Sequence, residues 1–179
     1  MKRYIYKYGS LCEPDIIDAF KRIGLEIVEE NAEIYNKSIV PSESAALASS
    51  VLTKGDFAFA FTINFFPWLS DICQLLNITY ISLIVDSPVL ELYSNAISNP
   101  VNRIFLFDKI LFSEFEQYNK GHIFHMPLAA NTSRTDKIIS LASDSDKKKY
   151  ASDISFIGST YQEKCPFNNA VLSDYERGF

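Results

Sequence analysis

The chain has 179 residues, of which 47% are hydrophobic and 22% charged, enough apolar material for one full core and the start of another. Its net charge of −5 supplies no basic field for a phosphate backbone, so nucleic acid is not an expected partner. No segment reaches the roughly 18 consecutive apolar residues of a spanning helix, and Lys7 interrupts Met1 to Tyr8 before a signal-peptide core can develop.

Dense apolar runs alternate with segments of helical period. The strands expected are Tyr4 to Tyr8, Glu26 to Val28, Phe57 to Ile63, Thr79 to Val85, Arg103 to Phe107 and His122 to Met126. The runs FAFAFTI and ITYISLIV are apolar at both alternating sets of positions, as in central strands covered by helices on both faces. Between them, Glu13, Pro14 and Asp15 suit a helix start, Ile16, Phe20 and Ile23 fall on one face, and Gly24 supplies a stop. Pro41 opens a second helix that ends near Thr53. Pro67 opens a third, with Trp68, Ile72, Leu75 and Leu76 expected to pack inward and Asn77 to form the left-handed cap. Ser87 and Pro88 are expected to start a fourth, and Asp108 to cap a fifth that carries Ile110, Leu111, Phe115 and Tyr118.

This alternation predicts an α/β fold with a doubly wound, mostly parallel sheet, Rossmann-like in architecture. Residues 1–140 form the expected domain. The polar stretch 141–152, including Lys147 to Lys149, is expected to be a solvated linker, and 153–179 to begin a second domain that the chain does not complete.

Cys12, Cys73 and Cys165 are odd in number and far apart, with no pairing that suggests a disulfide framework or zinc site, so a reducing, cytoplasmic setting is expected. His122 and His125 lie on opposite strand faces and are expected to be structural.

Ligands of open parallel sheets sit beyond the carboxyl ends of the strands. Here those ends carry Gly9 and Ser10, Asn64 and Phe65, Asp86 with Ser87 and Pro88, Asp108, and Leu128 to Asn131. Asn64 could orient a hydroxylated ligand through its amide or tie its own turn. Asp86 follows a fully apolar strand, where a carboxylate in water-poor surroundings could act as a general base or simply form a cap or Asx turn for the next helix. Tyr4, Tyr6 and Tyr8 share one strand face and are expected to pack rather than to stack on a sugar.

Five segments also carry a resemblance: GSLCEPDIIDAFKRIGLEIVE, FAFTINFFPWLSDIC, YISLIVDSPVLELYS, NRIFLFDK and ISFIGSTYQEKCPF. Together they are similar to bacterial glycosyltransferase-like proteins with an amino-terminal domain of formerly unknown function and a transferase domain like the spore maturation protein CgeB. The N-F-F-P turn at Asn64 to Pro67 and the D-S-P turn at Asp86 to Pro88 are its most specific pieces. The resemblance implies the acceptor-side half of a GT-B glycosyltransferase, with acceptor contacts from Gly9, Ser10, Glu13, Asn64, Phe65, Ser87, Pro88 and Asn131, and Asp86 as catalytic base. It also implies a nucleotide-sugar donor, met by Gly158 and Ser159 at the opening of the donor-binding half, with no bound metal or other cofactor. A glycan, protein or small molecule would be the acceptor. Family members often carry an aromatic residue where this chain has Leu83, which removes one stacking contact.

Other doubly wound families fit less well. A response-regulator receiver needs an acidic cluster after the first strand and an aspartate after the third, where this chain has Gly9 and Ser10, then Asn64. A dinucleotide-binding domain needs G-x-G-x-x-G, where the first turn here reads YGSLCEPD. The remaining rival is a non-catalytic module that recognises a glycan or a protein.

Overall fold

A computed structural model describes residues 1–156 together with Gly158 and Ser173. Its sheet has six parallel strands, β1 (Lys2–Tyr6), β2 (Ile27–Glu30), β3 (Phe57–Ile63), β4 (Thr79–Ile84), β5 (Asn102–Leu106) and β6 (Ile123–His125), in the order β2-β1-β3-β4-β5-β6. The chain runs from β1 to one edge at β2, crosses back to β3, and then proceeds strand by strand to the other edge. The direction of winding therefore reverses between β1 and β3, and loops from these strands part there to leave a crevice at their carboxyl ends. Every neighbouring pair is parallel, as the alternating pattern predicts.

The helices are α1 (Glu13–Arg22), α2 (Ala32–Tyr35), α3 (Pro41–Leu52), α4 (Pro67–Leu76), α5 (Lys109–Phe115), α6 (Thr132–Leu141) and α7 (Asp144–Tyr150). Proline occupies the first turn of α1, α3 and α4, where its missing N–H is not needed. The expected stops are realised in backbone geometry, with φ of 77° at Gly24 and 53° at Asn77. Asp108 caps α5, its Oδ1 accepting from the amides of Ile110 at 2.7 Å and Leu111 at 3.0 Å. Among the described residues, no helix is long and apolar enough to cross a membrane.

The two sheet faces bury separate clusters. Tyr4, Tyr6, Ala60, Tyr80, Ile84, Ile104 and Leu106 share a core with Ala48 and Leu52 of α3, Leu69 and Cys73 of α4, and Phe115 of α5. Ile5, Phe61, Ile63 and Leu83 pack on the other face with Ile17 and Phe20 of α1. Tyr4 and Tyr6 are buried, as expected of packing residues.

Several expectations need correction. No helix starts at Ser87 and Pro88. The peptide between them is cis, and two 3-10 turns, Leu90–Tyr93 and Asn95–Ser98, take the place of the fourth helix. Their short turns bury Leu92, Ala96 and Ile97 without a helical stripe long enough to repeat. Leu75 and Ile110 point to solvent, 85% and 79% exposed, because the stripes of α4 and α5 follow Leu69, Cys73, Leu111 and Phe115 instead. Tyr118 falls in a 3-10 turn after α5 and is exposed.

The chain divides into compact units Met1–Asn131 and Thr132–Phe179, so the boundary precedes the one expected at residue 140. The expected linker is largely helical: α7 begins on a capping box in which the Ser143 hydroxyl accepts from the Asp146 amide at 3.1 Å. Residues 153–156 form no strand, and Ser159 lies outside the described residues.

Candidate functional site at the carboxyl edge of the sheet

Asn64 directly follows β3 and adopts the left-handed conformation, φ 56°, which asparagine accepts more readily than other non-glycine residues. The surrounding structure holds it there. Its carbonyl oxygen accepts from the buried hydroxyls of Thr62 at 2.6 Å and Ser82 at 2.9 Å. Since the single Thr62 proton goes to that carbonyl, the Tyr80 hydroxyl, 2.6 Å away, must donate to Thr62. Tyr80 Oη in turn accepts from the Phe66 amide at 3.0 Å, fixing the next turn as well. Burial keeps the Tyr80 phenol protonated by pushing its pKa well above the ordinary range.

With its backbone fixed, the Asn64 side chain joins three strand ends. Oδ1 accepts from the Val85 amide at 3.1 Å, while Nδ2 donates to Tyr8 Oη at 2.9 Å and to Asp86 Oδ2 at 2.6 Å. Tyr8 is raised above its ordinary pKa first by burial, then by the charges of Asp86 and Glu13, with hydrogen bonds from Ser10 and Asn64 acting the other way. Both Asn64 donors are therefore engaged within the protein. The amide positions Asp86 and Tyr8 rather than contacting a ligand itself.

Asp86 is exposed, which contradicts the water-poor surroundings expected at that strand end. One carboxylate oxygen is held by Asn64, and the group stands on the wall of a cavity of about 240 Å³ with Tyr8, Phe65, Phe66, Pro88 and Glu91. Phe65 is buried and packs tilted against Tyr80, their centroids 5.7 Å apart. Ser87 and Pro88 are exposed. Asp86 caps no helix, the 3-10 turn that follows being preceded by Val89.

Glu13, expected among the acceptor contacts, is only 3% exposed and faces inward. Its Oε1 accepts from the amides of Tyr8 at 2.9 Å and Gly9 at 3.1 Å, clamping the turn between β1 and α1. Gly9 has φ 97°, a conformation that needs glycine, and a Cβ there would also lie 3.2 Å from Lys37 Nζ. Ser10 Oγ meets the Cys12 amide at 3.4 Å. These residues shape the loop next to Tyr8 and do not line the cavity. Asn131 donates to Asp15 Oδ1 of α1 at 3.0 Å, and it too stands off the cavity wall. Gly158 belongs to the second unit, and a Cβ on it would meet the Phe156 ring at 2.6 Å.

A second cavity, about 410 Å³, shares Phe66 and Glu91 with the first and adds Tyr6, Glu33, Ser44 and Trp68. Glu33, Ser44 and Trp68 are not among the site residues expected from the sequence, and Tyr6 is expected there chiefly to pack. The cue available in the sequence was the aromatic run F-F-P-W from Phe65 to Trp68, placed beyond a central strand. Cys73 offers no nucleophile, because burial pushes its thiol up to about 12. Among the described residues, no cluster of three or more His, Cys, Asp or Glu side chains could hold a metal ion.

No protein-family model, curated protein or solved structure matches the chain.

Proposed function

We propose that this domain binds a hydroxylated acceptor at the carboxyl edge of β1, β3 and β4 and is the acceptor-side half of a GT-B type glycosyltransferase of the CgeB-like family. The nucleotide sugar would be held by a partner half-domain, and Asp86 would take the proton from the acceptor hydroxyl. The observation that carries this reading is the Tyr8–Asn64–Asp86 chain, which fixes one carboxylate oxygen and leaves the other to a cavity at the topological switch point. A carboxylate fixed by one hydrogen bond can accept a proton at its other oxygen. Carboxylates and aromatic rings without a lysine or arginine on the cavity wall suit a polyhydroxylated ligand better than a phosphate.

Solvent exposure of Asp86 favours a second reading, in which the domain recognises a glycan without turning it over. Asp86→Asn in the full-length protein separates the two. As a base, Asp86 contributes on the order of 10²–10⁴ in rate, so transfer over a panel of nucleotide sugars should fall by that factor. Transfer at the unmodified rate would remove Asp86 from catalysis. Glycan titration followed by NMR should shift Tyr8, Asn64 and Asp86 together under either reading, and shifts confined elsewhere would defeat both.

A further inference from the structure

The larger cavity has a composition of its own. Phe66 and Trp68 are half-buried, with ring planes at 68° and centroids 5.9 Å apart, so they form two walls of a corner. Tyr6 packs against both rings in T-shaped contacts, with centroids 5.1 Å from Phe66 and 5.0 Å from Trp68. Its hydroxyl donates to Glu33 and stands 3.1 Å from Ser44 Oγ. Burial, and then the hydrogen bond to Glu33, hold the phenol protonated, so it remains a donor and not a second anion.

Two carboxylates complete the lining, Glu33 and Glu91, and no lysine or arginine is part of it. Lys37, on the loop before Ile39, places its ammonium on the Tyr8 carbonyl oxygen at 2.6 Å and is not part of the lining. A neutral sugar would use the aromatic walls but would gain little from two acidic groups on one small opening. A cation uses both, through the negative ring faces and through charge-assisted hydrogen bonds to the carboxylates.

We propose that the cavity between α3 and α4 holds an ammonium group of a ligand, seated in the Phe66–Trp68 corner and neutralised by Glu33 and Glu91. Because Phe66 and Glu91 also wall the Asp86 cavity, the remainder of such a ligand extends toward Asp86. The ligand class is therefore an amine that also bears hydroxyls, as an amino sugar does. The amine site rests on its own lining. It does not depend on catalysis by Asp86.

Trp68 is the only tryptophan of the chain, so its fluorescence reports directly on the corner. Glucosamine and glucose differ at one substituent and can be titrated into the full chain at about pH 6, where the amine is protonated. The expected result is a saturable change in Trp68 emission with glucosamine, at a Kd about tenfold or more below that for glucose. The Glu33→Gln/Glu91→Gln variant should lose that preference while its circular dichroism stays unchanged. If this variant misfolds, Glu91→Gln alone, on an exposed residue, should still reduce the preference. Equal affinity for the two sugars would overturn the amine site while leaving a hydroxylated ligand at Asp86 in place. Absence of any response to glucosamine up to about 50 mM, far above the millimolar range of weak ligands, would overturn it too.

Discussion

Two asparagine-centred knots sit at opposite edges of the same sheet, and their differences separate a structural use of the amide from a functional one. At the amino edge, Asn102 opens β5 fully buried, with Oδ1 accepting from Ser70 Oγ at 2.7 Å and Nδ2 donating to the carbonyls of Ala96 and Ile97 at 2.8 and 3.1 Å. Asn119 and Asn99 extend the same knot, Asn119 donating to the Ile97 and Asn99 carbonyls and Asn99 to Ser70 and Asp71. The bonds of Asn102 and Asn119 end on protein groups that tie the 3-10 turns to α4 and β5. At the carboxyl edge, Asn64 also uses every hydrogen-bonding position, yet one of its partners is an exposed carboxylate on a cavity wall. The partners of Asn102 are buried, whereas Asn64 holds a carboxylate that stands in reach of solvent on a cavity wall.

Substitutions at the two knots should therefore diverge. Asn102→Ala gives the largest effect, roughly 3 kcal/mol in urea unfolding, because it removes three hydrogen bonds of a fully buried side chain and leaves a void among Ser70, Ala96 and Ile97. A loss below about 1 kcal/mol would mean that water replaces the amide and that the amino-edge knot is not a dry staple. At Asn64, alanine and glycine both remove the side-chain bonds, but only alanine meets strain at φ 56°. We expect Asn64→Ala to cost about 2 kcal/mol and Asn64→Gly about 1 kcal/mol, with sugar binding weakened equally in both. Identical stabilities would show that the left-handed turn relaxes.

A smaller effect calibrates surface charge away from both knots. Lys7 and Lys21 flank Glu29 on edge strand β2 at 3.0 and 3.1 Å, and the hydrogen bond from Lys7 is the main cause that holds its carboxyl below the ordinary glutamate value. A lowered folded-state pKa makes this contribution complete above the unfolded glutamate range and lost as pH falls through the folded value. Glu29→Gln should thus cost about 0.5 kcal/mol near neutral pH, and the difference from the parent protein should vanish on acidification. A difference that grows in acid would reverse the assignment. Smallest of all on stability is Asp86→Asn, expected within about 0.5 kcal/mol of the parent in the same unfolding assay.

The sheet was legible because its evidence is periodic. Six short apolar runs separated by helix-length segments leave few topologies other than a parallel α/β sheet, and the stops at Gly24 and Asn77 follow from backbone chemistry carried by single residues. The helix expected at Ser87 and Pro88 failed because a serine and a proline that suit a helix start suit a turn as well, and the chain turns twice within nine positions. At the site, Asp86 and Asn64 were visible from their place after β4 and β3. The inward orientation of Glu13 was not, since its partners are backbone amides that no residue name announces. The Thr62–Tyr80–Ser82 hydroxyls were equally hidden, because two small polar residues within otherwise apolar strands read as tolerated exceptions until the carbonyl between them is located.

Tyr8 meets Asn64 across 56 positions of sequence, and Asn64 meets Asp86 across 22 more. Bringing these groups together requires β1, β3 and β4 to pair in register, and loop closure over such distances makes parallel pairing a slow step for a polypeptide. The cleft consequently exists only once the three strands have paired, and a peptide excised around any one of these residues would not carry it. A ligand that protects the cleft from denaturant thus reports on completion of the central sheet as well as on its own affinity.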